Sequence, residues 1–172
     1  MNARTRVRRV LASDGHLIKT VRLRSLTADA TSFGSTHERE NAFPDDEWND
    51  WAVGDSAGQE MATFLAMRGA EPVGMVAAYR DEHEQRMFHV IAMWVAPEAP
   101  REGIARRLLN DIEEWIASCG GSCVQLSVAD VAHAATRLYE AAGYRPDGEV
   151  SDSPHTPGIT HISLRRSLPS ER

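Results

Sequence analysis

The chain has 172 residues and a mass of 19.0 kDa, the length of one domain, and its 42% hydrophobic and 26% charged residues exclude a disordered, collagenous or repeat protein. A net charge of −6 and a pI of about 5.6 exclude the broad basic footprint of a nucleic-acid binder. Arg, Asp or Glu interrupts every apolar run before the ~18 residues of a membrane span, and the basic start, Met1 to Arg9, lacks the apolar stretch of a signal peptide. A cytoplasmic protein that engages neither membrane nor nucleic acid is expected.

In chain order, residues 5 to 12 read as a first strand. Ser13 and Asp14 are placed to cap a helix with apolar Leu17, Ile18, Val21 and Leu26 at helical spacing. The stretch Thr27 to Asp55 carries Phe33, Phe43, Trp48 and Trp51 and reads as a packed surface loop, with a short helix opening near Pro44-Asp45-Asp46-Glu47. From Met61 the pattern becomes strands: Met61 to Met67, Val73 to Tyr79 and Met87 to Val95, an antiparallel meander. In the last of these, strict alternation puts Met87, His89, Ile91, Met93 and Val95 on one face and Phe88, Val90, Ala92 and Trp94 on the other. Both faces are covered, so this strand is central.

A helix follows from about Arg101 to Ser118, striped by Ile104, Leu108, Leu109, Ile112, Trp115 and Ile116 and closed by Gly120-Gly121. Cys123 to Val128 is the next strand; with a whole helix as crossover it runs parallel to the strand ending at Val95. Ala132 to Ala142 is helical, and Tyr144 to Val150 and Thr160 to Leu164 form a final antiparallel pair. The fold class is therefore α/β: a mixed, mainly antiparallel sheet with one parallel pair, flanked by helices, whose first or last strand can pair across a homodimer. Cys119 and Cys123 bracket Gly-Gly-Ser without a second ligand pair, so they read as reduced thiols and no metal site is expected.

The sharpest chemical feature is the passage from Val95 through Pro97 and Pro100 directly into a helix with Gly103 and Ala105 in its first turn. Helix-opening N–H groups lack intrahelical acceptors, and small residues let a phosphate approach them. Arg101, Arg106 and Arg107 add local positive charge. Neither the Walker loop nor the dinucleotide GxGxxG pattern is present.

Pro100-Arg101-Glu102-Gly103-Ile104-Ala105 and Leu138-Tyr139-Glu140-Ala141-Ala142-Gly143-Tyr144 resemble the phosphate loop and the Leu-Tyr-x-x-x-Gly-Phe segment of the GNAT family of N-acetyltransferases. Pro100 stands where that family usually has Gln or Arg, and Ala132 where it often has an asparagine. The resemblance implies one N-acetyltransferase domain over 1–172 that uses acetyl-CoA as co-substrate and acetylates a primary amine, small or on a peptide, by direct transfer. It implies that Arg101, Glu102, Gly103, Ile104, Ala105 and Arg106 hold the coenzyme's diphosphate. The backbone of Met93, Trp94 and Val95 would lie along its pantetheine at a bulge and bind the oxyanion, and Tyr139 would be the general acid for the departing thiol.

The position of His89 on its strand resembles the one where histone-acetylating members of that family place a glutamate, and imidazole suits a base titrating near neutrality. A hydrogen-bonded core histidine is the alternative, and Asp81, Glu82 and Glu84 in the preceding turn are further candidates. The resemblance implies substrate selection by the first two helices and their loop, which makes Phe33, Glu38 and Trp48 candidates for the amine site, with core packing as the other reading of each aromatic. A silent acyl-CoA-binding module, or a binder of another nucleotide, would share the cradle without using Tyr139.

Overall fold

The computed structural model describes residues 4–99 and 103–169. Its elements run β1 (Arg6–Arg9), α1 (Gly15–Ala28), a 3₁₀ turn (Ala30–Ser32), α2 (His37–Asn41), α3 (Asp45–Ser56), β2 (Met61–Arg68), β3 (Glu71–Arg80) and β4 (Met87–Val95). They continue with α4 (Ile104–Ser118), β5 (Cys123–Ala129), α5 (His133–Ala141), β6 (Arg145–Asp152) and β7 (Thr160–Ser167). The seven strands form one sheet in the order β1-β2-β3-β4-β5-β7-β6. Only β4 and β5 pair in parallel, across the crossover helix α4; every other pair is antiparallel. The expected fold class is therefore present. The free edges are β1 and β6, not the last strand, because β7 inserts between β5 and β6.

Burial of apolar stripes sets the layers. The α4 stripe Ile104, Leu108, Leu109, Ile112, Trp115 and Ile116 is buried, and Trp115 meets Phe88 of β4 edge to face at 5.5 Å. The chain turns back into β5 at Gly121, where a Cβ would lie 2.4 Å from Ile116 and 2.8 Å from the Phe88 ring, so no other residue fits the approach.

Three expectations change. The first strand ends at Arg9, short of residue 12, and Asp14 makes no side-chain cap. Its carboxylate instead accepts the Leu11 N–H at 2.8 Å and the Arg8 guanidinium at 2.6 Å, folding the chain between strand and helix. The stretch Thr27 to Asp55 is mostly helical. Its α2 is held by Thr36, whose side chain accepts from Arg39 N–H, and by a buried two-point pair of Arg22 with Glu40 at 2.8 Å and 2.8 Å. An ion pair replaces an apolar stripe there, so periodicity gives no helix signal.

The third change is on β4. Ala77 pairs with Ile91 but Met75 pairs with Trp94, two steps on β3 against three on β4, and Ala92 adopts φ 54°. This bulge ends the alternation after Ile91. Trp94 joins the face of His89 and Ile91, whereas Val95 turns to the α4 face, where a Cβ on Gly74 would lie 3.3 Å from Val95 Cγ2 and 3.2 Å from Leu108. His89 and Val95 therefore do not share a face.

Candidate active site

The parallel ladder is short. β4 and β5 pair from Met87 with Cys123 to Val90 with Leu126, and no pairing follows. Beyond those residues the strands part at the Ala92 bulge, leaving the facing N–H and C=O groups without sheet partners. A cleft of about 1090 Å³ opens in the gap. Its walls include Met93, Trp94 and Val95 on one side, Ser127 and Val128 on the other, Ala105 at one end, and Phe33 and Tyr139.

Ala105 belongs to the first turn of α4, whose first internal bond runs from Arg107 N–H to Gly103 C=O at 3.0 Å. The N–H groups of Ile104, Ala105 and Arg106 precede it and have no helical acceptor. Gly103 caps the helix in the left-handed region at φ 67°, with none of the described residues within 4 Å of where a Cβ would stand. The other expected diphosphate residues divide. Ile104 is buried in the core, Arg106 lies along its own helix toward Asn110 at 3.2 Å, and Arg107 reaches the Thr5 carbonyl at 3.3 Å. Pro100, Arg101 and Glu102 lie outside the described residues.

Tyr139 is 6% exposed and borders the cleft, and among the described residues its hydroxyl has no hydrogen-bond partner. Burial pushes its pKa well above the ordinary phenol value, so the side chain is a neutral O–H donor throughout the physiological range. Its ring meets Tyr144 edge to face at 5.8 Å. Tyr144 in turn donates to Glu113 at 2.6 Å, and Arg166 binds the other Glu113 oxygen at 2.6 Å. This buried bridge ties α4, the end of α5 and β7 behind the tyrosine. Sequence reasoning missed it, because residues 31 and 53 positions apart carry no local signal.

His89 lies on the other face. Its ring stacks on Tyr79 at 4.9 Å, and its Nε2 is 2.7 Å from Asp81 Oδ2. Asp81 Oδ1 accepts the N–H groups of His83 and Glu84, each at 2.8 Å. The bond to His89, then those two N–H groups, hold the Asp81 carboxyl well below the usual carboxylate range. An ionised carboxylate only accepts, so Nε2 carries the proton, and the neutral ring keeps its lone pair on Nδ1. Asp81 thus accepts from the histidine ring and from two backbone N–H groups.

His89 borders a second cavity of about 610 Å³, with Tyr79, Gln125, Ser127, Glu149, His161 and Ser163. Both cavities touch Val90, Ile91, Leu126 and Ser127, so they adjoin where β4 and β5 part.

Of the expected amine-site residues, Phe33 lines the cleft beneath the Arg22 guanidinium at 4.9 Å. Trp48 does not: it is 1% exposed and packed between Phe43 at 5.7 Å and Trp51 at 5.8 Å, within the core. Glu38 is exposed on the first turn of α2 and lines neither cavity. Gln125, Glu149 and His161, which do line the second cavity, were not singled out by the sequence, since three separate strands supply them.

No curated protein sequence matches the chain. Among solved structures it is similar to a Streptococcus pneumoniae acetyltransferase of the GNAT family at TM-score 0.80 and 17% identity, covering 96% of this chain and 100% of that one. It is also similar to Salmonella typhimurium yncA, solved with its cofactor acetyl-CoA, at TM-score 0.80 and 12% identity over 98% and 96% of the two chains. A third likeness is to Arabidopsis thaliana NAA60 in complex with a bisubstrate analogue, at TM-score 0.70 and 14% identity over 98% and 100%. These likenesses establish a shared fold. The family model described as Acetyltransferase (GNAT) family matches residues 21–144, from within α1 to the tyrosine that closes α5, and the chain belongs to that family.

Proposed function

We propose that the chain is a single-domain, cytoplasmic N-acetyltransferase that transfers acetyl from acetyl-CoA directly to a primary amine. The observation that carries this reading is the meeting of two cavities of different chemistry at the parted strands, one walled by apolar side chains and unpaired backbone, the other by polar side chains.

The first cavity suits the coenzyme. Pantetheine is a thin chain with two amides, and the strand gap offers unpaired N–H and C=O groups along an apolar wall. The α4 N-terminus at Gly103 to Arg106 offers donors and the positive end of a helix dipole to the diphosphate. When bound, acetyl-CoA supplies an activated thioester. The chain's residues do the rest. β4 backbone N–H groups at the bulge face the carbonyl oxygen as it gains charge. His89 Nδ1 takes the proton of the substrate ammonium, with Asp81 holding the ring, and Tyr139 donates its proton to the sulfur as the carbon–sulfur bond breaks.

Direct transfer fits the positions of the thiols. Cys119 and Cys123 are free and line neither cavity, and Cys123 pairs with Met87 at the far end of β4 from the bulge. Thiol release from acetyl-CoA against a panel of amines tests the proposal. Amine-dependent release that collapses in Tyr139→Phe is expected. Tight coenzyme binding with no release for any amine would instead mark a silent acyl-CoA binder.

A further inference from the structure

We infer that the second cavity selects an acceptor with a second positive charge, a linear diamine whose distal ammonium rests on Glu149 while its reacting nitrogen faces His89. The inference takes the reaction from the acetyltransferase reading, but charge selection at this cavity is a separate property.

The carboxylates around this face differ in what they already hold. Asp81 is committed to His89 and two backbone N–H groups. Asp147 is committed to Arg165 at 2.9 Å and to the Ser163 hydroxyl at 2.7 Å. Glu149 is not: its only side-chain contact is the Gln125 amide at 3.4 Å, and among the described residues no cation pairs with it. Glu149 is also the one carboxylate on the cavity wall, and no Arg or Lys lines that wall.

Gln125 connects the two ends. It sits opposite His89 in the parallel ladder, one strand spacing of about 4.8 Å away, and its Nε2 donates to Ser163 at 2.8 Å as well as reaching Glu149. The base and the open carboxylate thus line one cavity on either side of Gln125. The reacting nitrogen gives up its proton to His89, whereas the distal ammonium keeps its charge and is attracted to Glu149. An acceptor carrying a distal carboxylate meets the like charge of Glu149 with no Arg or Lys on the cavity wall to offset it, which disfavours it.

Putrescine, n-butylamine and γ-aminobutyrate share one carbon chain and differ in the charge of the distal group, so they test the inference directly. Thiol release gives kcat/KM for each, and calorimetric binding of each in the presence of CoA gives selection without turnover. Putrescine is expected to exceed n-butylamine about three- to tenfold in both readouts, the range of a partly exposed ion pair, with γ-aminobutyrate weakest. Glu149→Gln should bring the putrescine to n-butylamine ratio to within about twofold of unity, and Glu149→Lys should place γ-aminobutyrate above putrescine. Equal use of putrescine and n-butylamine by the parent, or a ratio that survives Glu149→Gln, overturns the inference. Turnover without the charge order sinks diamine selection and leaves the acetyltransferase standing. Ordered binding that Glu149→Gln abolishes, without turnover of any amine, upholds the selection and removes the acetyltransferase.

Discussion

The two cavities meet at the same four residues but are made of different material. The larger is built by the backbone: a bulge at Ala92 parts two strands, a helix starts at Gly103, and apolar side chains close the walls. The smaller is built by side chains from β3 to β7, with His89, Glu149 and His161 setting its polarity. A backbone site depends on where strands part and helices begin, so many sequences can make it. This agrees with solved structures that share the fold at 12% to 17% identity. A side-chain site changes its chemistry with each substitution, which is in keeping with the proposed role of the smaller cavity in acceptor choice.

The strongest test of this division is Tyr139→Phe, which removes one oxygen from the cleft and leaves its backbone untouched. Thiol release should fall about a hundred- to ten-thousandfold, the usual worth of a positioned proton donor, while coenzyme affinity by calorimetry changes less than about threefold. A parallel loss of affinity would mean that the tyrosine belongs to the coenzyme grip, and the contrast between backbone binding and side-chain chemistry would fail.

The His89 pair should give a smaller loss with a different signature. His89→Gln is expected to lower kcat/KM about ten- to hundredfold and to flatten the acidic limb of the pH–rate profile; an unchanged limb would remove His89 as the base. Asp81→Asn leaves the ring in place but frees its tautomer, so an intermediate loss is expected. Asp81 also makes a stability prediction. Its folded pKa is depressed below the ordinary value of 3.8, first by the His89 bond, so its contribution is fully present above that value and is lost progressively as pH falls from there through the lower folded pKa. Melting temperatures of Asp81→Asn and the parent should differ at pH 7, and the gap should narrow steadily as pH falls below about 4. A gap that persists in acid would mean that Asp81 acts through packing.

On the backbone side, Ala92→Val places a β-branched side chain at φ 54° and should cost about 1–3 kcal/mol in denaturant unfolding. Coenzyme affinity should fall with it, and His89-dependent chemistry should be retained at saturating coenzyme. A variant as stable as the parent would show that the bulge is not held in place by the rest of the sheet.

What the sequence disclosed follows the same division. Apolar alternation and the long α4 stripe located β2 to β5 to within a residue or two, because core burial imposes those periods. Gly103, Ala105 and Tyr139 stood out through local patterns around a helix start and a helix end. The Ala92 bulge did not, since Ala-Met-Trp continues the alternation in letters while the chain breaks it in space. Nor did α2, whose place is fixed by Arg22 reaching Glu40. Glu149 and Gln125 gained their meaning only in the folded sheet, where the parallel ladder sets Gln125 opposite His89 and the Glu149 side chain reaches Gln125 from β6, beyond β7.

The smallest expected effect concerns Glu38, whose charge and place in the stretch after α1 make it a candidate for an amine site. It is exposed on the first turn of α2, on neither cavity wall, and its charge is placed to favour the positive end of that short helix. Glu38→Gln should therefore cost no more than about 0.5 kcal/mol of stability and leave KM for any amine within about twofold. Glu149→Gln, which makes the same chemical change on the wall of the smaller cavity, should alter selection among amines. If Glu38→Gln moved KM as much, the acceptor would extend over α2, and the smaller cavity would be only one part of a longer groove.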